Sequence, residues 1–257
     1  RLLQDIGPKY AQDYVTRFGF DRDKHPPYLT MALGAGGVTP LQMARAYAVF
    51  ANGGYLVQPY FIQKIVDDRG NPLGVANPAR SGDEALRAID ARNAFIMDSM
   101  MQDVTRYGTA ARASKLGRRD LAGKTGTTND FVDAWFCGYQ PSLVGIAWIG
   151  FDQPRTLGRN QTGGAIALPI WIEYMGRVLK GVPHAERVAP SGVISVRIDA
   201  DPAAPEGARS GSDWFYREFL PPLPSGPAPE AALPSLPGTA PAPVEERGSI
   251  RPVPSGY

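Results

Sequence analysis

One cysteine, Cys137, and two histidines, His25 and His184, stand among the 257 residues. A lone thiol cannot close an internal disulfide, and Cys137 sits in an apolar, strand-like run where it reads as core rather than as a reactive group. His25 stands by itself in a polar loop and receives no catalytic assignment. Charge of either sign is also in short supply: 27 Lys and Arg against 25 Asp and Glu leave +2, so no long-range field argues for nucleic acid. No run of about 18 apolar residues occurs, and neither a signal peptide nor an initiator methionine precedes Arg1, so the chain is expected to carry neither membrane span nor address.

What is present supports a sizeable core, with 43% hydrophobic residues in a length that suits one large or two small domains. Residues 1–18 read as helix with a break at Gly7-Pro8, placing Tyr10, Tyr14, Val15 and Phe18 near one face. Residues 21–28 read as loop. Thr39 and Gln42 fit a capping box, Pro40 stands at the first helical position, and Asn52-Gly53-Gly54 stop a core helix. Residues 60–67 alternate as a strand and turn back through Leu73-Gly74-Val75, with Pro72 weakening the return. Asp90 caps a helix reaching Tyr107, on which Met97, Met101 and Val104 form a packing stripe. Residues 112–120 read as a basic, solvated approach to a strand beginning near Leu121. Residues 156–164 read as loop, Leu168-Pro169 opens a last helix through Lys180, and Val193 to Ile198 reads as strand. About half of the 25 prolines fall beyond Asp199. Residues 199–220 are expected to be a partly ordered extension, with Trp214-Phe215-Tyr216 docking locally, and residues 221–257 a disordered Pro-rich tail.

The stretch richest in chemistry is Leu121-Ala122-Gly123-Lys124-Thr125-Gly126-Thr127-Thr128-Asn129-Asp130. The β-branched threonines favour an extended backbone, and residues 134–139 pass through Gln140-Pro141-Ser142 into residues 143–149, which predicts a strand feeding an antiparallel hairpin. Thr125 and Thr127 lie two apart, so their hydroxyls share a face. Gly126 lacks a Cβ, which lets a ligand approach the backbone, and an unpaired Thr127 N–H suits an oxygen that becomes anionic in acyl transfer. Lys124 beside them suits a carboxylate. A phosphate-binding loop needs G-x-x-x-x-G-K-[ST] opening a helix; Arg118 stands where its first glycine belongs, and a strand pattern continues behind Lys124 instead.

The string A-G-K-T-G-T-T-N-D followed by D-A-W-F-x-G-Y resembles the transpeptidase domain of class A (bifunctional) penicillin-binding proteins, whose K-T-G motif accompanies S-x-x-K and a second S-x-N motif. Further matches are Ala32-Leu33-Gly34, Val38 to Ala44, Ala46 to Gly54, and Thr162-Gly163-Gly164 before Leu168-Pro169-Ile170-Trp171. The resemblance covers about three quarters of the chain. It implies an α+β fold, an antiparallel sheet covered by helices as in serine β-lactamases, with residues 1–198 forming the C-terminal portion of the domain and the site at the sheet edge.

The implied activity is D,D-transpeptidation through a serine acyl-enzyme, acting on peptidoglycan stem peptides ending in D-Ala-D-Ala and blocked by β-lactam antibiotics, with no cofactor and no metal. By the same resemblance, the catalytic positions are Lys124 and Thr127. Thr125, Gly126, Thr127 and Thr128 bind substrate, and the Thr127 N–H completes an oxyanion hole. Asn129, Asp130 and Asp133 organise the strand end. No serine in the chain has lysine three places on, and no serine or tyrosine has asparagine two places on. The expectation is therefore half of a site, completed by an N-terminal part of the same protein that bears the nucleophile, a membrane helix and a glycosyltransferase domain, at the periplasmic face of the cytoplasmic membrane. Alone, the chain is expected to be inactive. The alternative is a non-catalytic penicillin-recognising binding or sensor module that lacks the nucleophile.

Overall fold

Glycine and proline divide the first forty residues into short helical pieces. Helix α1 (Leu2–Ile6) stops at Gly7, whose φ of 88° is open to glycine, and α2 (Pro8–Val15) restarts with proline in its first turn. Tyr10 stacks on Tyr14, Tyr14 meets Phe18, and Phe18 meets Phe50, so this aromatic ladder ties the first segment to the next helix. His25 is buried and structural: its Nδ1 lies 2.9 Å from the Asp21 carbonyl, and its own carbonyl accepts from Gln12 at 2.7 Å. Helix α3 (Pro40–Ala51) begins with the expected capping box, the Thr39 hydroxyl accepting from the Gln42 N–H and the Gln42 amide oxygen from the Thr39 N–H.

The expected hairpin forms, but it is shorter than the alternation over residues 60–67 suggests. Strand β1 (Lys64–Val66) pairs antiparallel with β2 (Pro72–Val75), with an irregularity after Ile65. A hairpin strand extends only as far as its partner, and the tight turn at Asp67–Asn71 with Pro72 limits that partner. The structure, a computed structural model, describes residues 1–198 and 211–220; the reading of residues 221–257 as a disordered tail, and of residues 199–210 as part of an extension, lies outside the described residues.

Helix α4 (Ala91–Arg106), capped by Asp90, lies on the strand that carries the K-T-G residues. That strand, β3 (Ala122–Thr127), pairs with β4 (Ala134–Gln140), which pairs with β5 (Leu143–Ile149), giving an antiparallel sheet with β3 at one edge. Register and alternation sort the two faces. Ala122, Tyr139 and Val144 lie opposite one another and meet Tyr47 and Phe50 of α3 and Met97 and Met101 of α4. Thr125, Phe136 and Ala147 line the other face, where Phe136 and Ala147 pack with Leu168, Trp171 and Met175 of α5 (Leu168–Val178). This is the α+β arrangement of an antiparallel sheet covered by helices. Glycine at positions 138 and 145 lets the N–H edge of the Trp171 indole close on the sheet; a Cβ there would fall 2.8 Å and 2.9 Å from that ring.

Arg112, Ser114, Lys115, Gly117 and Arg119 are exposed, as the solvated approach read from composition expects, but Ala113 and Asp120 are not. A short 3-10 turn, Ala111–Leu116, buries Ala113 fully, and Asp120 is 3% exposed. The buried carboxylate is compensated: it accepts from Arg118 at 2.6 Å, the Ala185 N–H at 2.9 Å and Gln140 at 3.3 Å. Burial by itself would raise the Asp120 carboxyl, but these bonds outweigh it and hold it below its usual range. Alongside lies a second buried pair, Arg187 with Asp98, whose carboxylate also accepts from Tyr139 and Gln102, each at 2.7 Å. Burial pulls the Arg187 guanidinium down to about 10, so it stays charged at neutral pH. Beyond it, β6 (Val193–Ile198) pairs antiparallel with β7 (Gly211–Tyr216), and Trp214 meets Phe95 of α4 edge-on. Among the described residues no helix is long and apolar enough to cross a membrane.

Candidate active site

The C-terminal half of β3 places the K-T-G residues at an open edge. The Thr128 N–H donates to the Asp133 carbonyl at 3.1 Å, which continues the β3–β4 register and makes the even-numbered residues of β3 the hydrogen-bonded pairs. The backbone N–H and C=O of Thr125 and Thr127 therefore point away from β4, toward the free edge. Lys124 is exposed and bends along that edge, its Nζ donating to the Thr125 carbonyl at 2.9 Å and to Thr125 Oγ1 at 3.3 Å.

The threonine hydroxyls are held from the α5 face. Thr127 Oγ1 accepts from the Gly163 N–H at 3.0 Å, and Thr125 Oγ1 lies 2.8 Å from Thr109 Oγ1. Gly163 opens a π-helical turn, Gly163–Ala167, whose Ala165 N–H is capped by Thr162 Oγ1 at 3.2 Å. Only glycine fits at 163, because a Cβ there would stand 2.2 Å from the Trp135 carbonyl oxygen and 2.4 Å from that of Gly126. On the opposite side of Gly126 stands Trp135, which stacks on Trp148 with ring centroids 5.6 Å apart.

Thr128 faces the other way from its neighbours and closes the turn, its hydroxyl accepting from the Asp133 N–H at 2.7 Å. Asp133 in turn accepts from the Trp148 indole at 2.9 Å. Asp130 and Phe131 adopt positive φ, 57° and 55°, a region that ordinary side chains seldom occupy, and the Phe131 carbonyl accepts from the Leu157 N–H at 2.8 Å. Tight turn geometry of this kind fixes where β3 ends. Cys137 is not part of the site: it is 2% exposed on β4, and burial pushes its thiol up to about 12.

Four of the residues singled out from sequence, Lys124, Thr125, Gly126 and Thr127, come together on one strand edge, whereas the Thr128 hydroxyl belongs to the turn. The contacts that sequence reading missed are Thr109, which carries no motif signal beyond a glycine before it, and Gly163, which was noted as part of a matching string without a role. The arrangement gathers an ammonium, hydroxyls and a backbone N–H on one edge. Such an edge suits an anionic group beside a carbonyl under attack.

A family model, the penicillin binding protein transpeptidase domain, matches residues 1–171. Penicillin-binding protein 1A of Neisseria flavescens is 52% identical over 195 residues, 76% of this chain and 24% of that protein. Penicillin-binding protein 1A of Pseudomonas aeruginosa is 42% identical across 95% of this chain and 36% of its own length. The crystal structure of penicillin-binding protein 1A from Haemophilus influenzae superposes with a TM-score of 0.78 at 33% identity, over 86% of this chain and 38% of that one. The chain thus spans between about a quarter and about two fifths of these relatives.

Proposed function

Because the chain belongs to the penicillin-binding protein transpeptidase family, we propose that it forms the K-T-G half of a peptidoglycan D,D-transpeptidase. The observation that carries this reading is the collection of Lys124 Nζ, the Thr125 and Thr127 hydroxyls and the outward Thr127 N–H on the free edge of β3. A stem peptide ending in D-Ala-D-Ala lies along that edge as an added strand, its terminal carboxylate on the hydroxyls of Thr125 and Thr127. β-Lactam antibiotics occupy the same place through their own carboxylate. The nucleophile is a serine from a stretch outside these 257 residues.

In the first half-reaction that serine oxygen attacks the carbonyl of the penultimate D-Ala. The oxyanion that forms accepts from the Thr127 N–H, the C–N bond breaks, and the departing D-Ala takes the serine proton on its amine. An amine of a second stem peptide then attacks the ester, forms the cross-linking amide and returns a proton to the serine. Lys124 supplies positive potential and a hydrogen bond toward the second-motif hydroxyl. Removing one oxyanion donor typically costs about 3 kcal/mol of transition-state stabilisation. Gly126 keeps the backbone approachable, and Thr128 bounds the subsite through the turn. The reaction takes place on the outer face of the cytoplasmic membrane, where the cross-linked polymer lies.

The reading is tested by translating the coding DNA upstream of Arg1 in frame and expressing the extended protein. S-x-x-K followed by S-x-N, with covalent labelling by fluorescent penicillin, is the expected result. A start codon with neither motif, or an extended protein that never labels, overturns it.

A further inference from the structure

The turn after α4 brings a hydroxyl to β3 that no motif predicts. We propose that Thr109 is a positioning residue that sets the Thr125 hydroxyl as a hydrogen-bond donor to the substrate carboxylate; this rests on the function proposed above.

Thr109 is held in place by its neighbours on both sides. The Tyr107 and Gly108 N–H groups both donate to the Asp103 carbonyl, at 2.8 and 3.0 Å, and the Ala110 N–H donates to the Val104 carbonyl at 3.1 Å. A Cβ at Gly108 would meet Val104 Cα at 2.9 Å, and Ala110 is fully buried in the core beneath the sheet. Gly164 packs over the Thr109 carbonyl from the other side, where a Cβ would come within 3.1 Å. The backbone of residue 109 is thus fixed while its side chain stays exposed.

Counting protons gives the consequence. Each hydroxyl has one proton and two lone pairs, and an ammonium only donates. Thr125 Oγ1 therefore accepts from Lys124 Nζ at 3.3 Å. When Thr109 donates across the 2.8 Å contact, both lone pairs of Thr125 are occupied and its single proton has to point outward. A carboxylate, which only accepts, selects this state. When Thr125 donates instead, the outward proton passes to Thr109, and the pair still offers a donor. With Thr109 removed, the Thr125 hydroxyl keeps a free lone pair and can turn away from the ligand.

The test compares acylation of the intact protein by benzylpenicillin and by its methyl ester, which lacks the negative charge. The unmodified protein is expected to react faster with the free acid. Thr109→Val should slow the free acid about fivefold to tenfold, the weight of one well-placed hydrogen bond, and leave the ester unaffected. Thr109→Ser should restore the free-acid rate. Equal slowing of both compounds, an unchanged rate in Thr109→Val, or no recovery in Thr109→Ser overturns the positioning role. An unmodified protein that acylates but does not distinguish acid from ester instead overturns the carboxylate subsite on which it rests.

Discussion

The two ends of β3 treat polar groups in opposite ways. At its start, Asp120, Asp98 and Gln102 are buried and Arg187 is half-buried, and the two carboxylates each hold several donors. At its end, Lys124 and Thr127 are exposed, and the Thr127 hydroxyl, which accepts from the Gly163 N–H, has no acceptor for its own proton among the described residues. Buried charge that is paired locks one geometry, because breaking a pair leaves an uncompensated ion in a poor solvent. Exposed donors with capacity to spare hold nothing together, and are available to a ligand. One strand thus carries an anchor at one end and a binding edge at the other.

The comparison is broken most severely at the anchor. Asp98→Ala strands the Arg187 guanidinium, and a stability loss of about 3–5 kcal/mol is expected in denaturant unfolding. Replacing both partners with apolar residues of similar size should recover only the share due to Arg187, because the buried Tyr139 hydroxyl and Gln102 amide still lack their acceptor. At the binding end the ordering reverses. Lys124→Ala is expected to slow acylation by penicillin in the intact protein about a hundredfold, while the melting temperature moves little because the side chain is exposed. A purely thermal defect would return Lys124 to an ordinary strand position. Thr127→Val should keep the fold and reduce acylation about tenfold, read in the same assay. It should also speed hydrogen exchange at the Gly163 amide, whose acceptor it removes.

Acid sharpens the contrast more gently. The Asp120 carboxyl is depressed in the folded state, so its contribution is fully present above the unfolded value of about 3.9 and is lost as pH falls through that value toward the folded one. Asp120→Asn should therefore flatten the stability profile below about pH 4. A profile unchanged by that substitution would mean that Asp120 does not link folding to protons. Cys137, buried between these ends, should resist thiol reagents in the native protein and react only on unfolding.

Elements governed by near neighbours were legible in the amino-acid sequence. The capping box at Thr39, the cap at Asp90, the break at Gly7-Pro8 and the turn at Gln140-Pro141-Ser142 all depend on residues within about four positions. The strand-hairpin carrying Lys124, Thr125 and Thr127 follows from β-branched and alternating residues, and the string around it identifies the family. Less legible were the extent of the β1–β2 hairpin and the environment of Arg118 and Asp120. Composition marks Arg118 and Asp120 as polar, but their burial depends on Gln140 and Ala185, twenty and sixty-five positions away.

Sequence by itself determined which residues lie on β3, and through alternation that Thr125 and Thr127 share a face. Only the tertiary structure decided what meets that face: Thr109, sixteen residues before Thr125, and Gly163, thirty-six after Thr127. The physical reason is that propensity and capping act along the chain, within a turn or two. A hydroxyl, in contrast, takes its direction from whichever donor the packing of distant segments brings within about 3 Å.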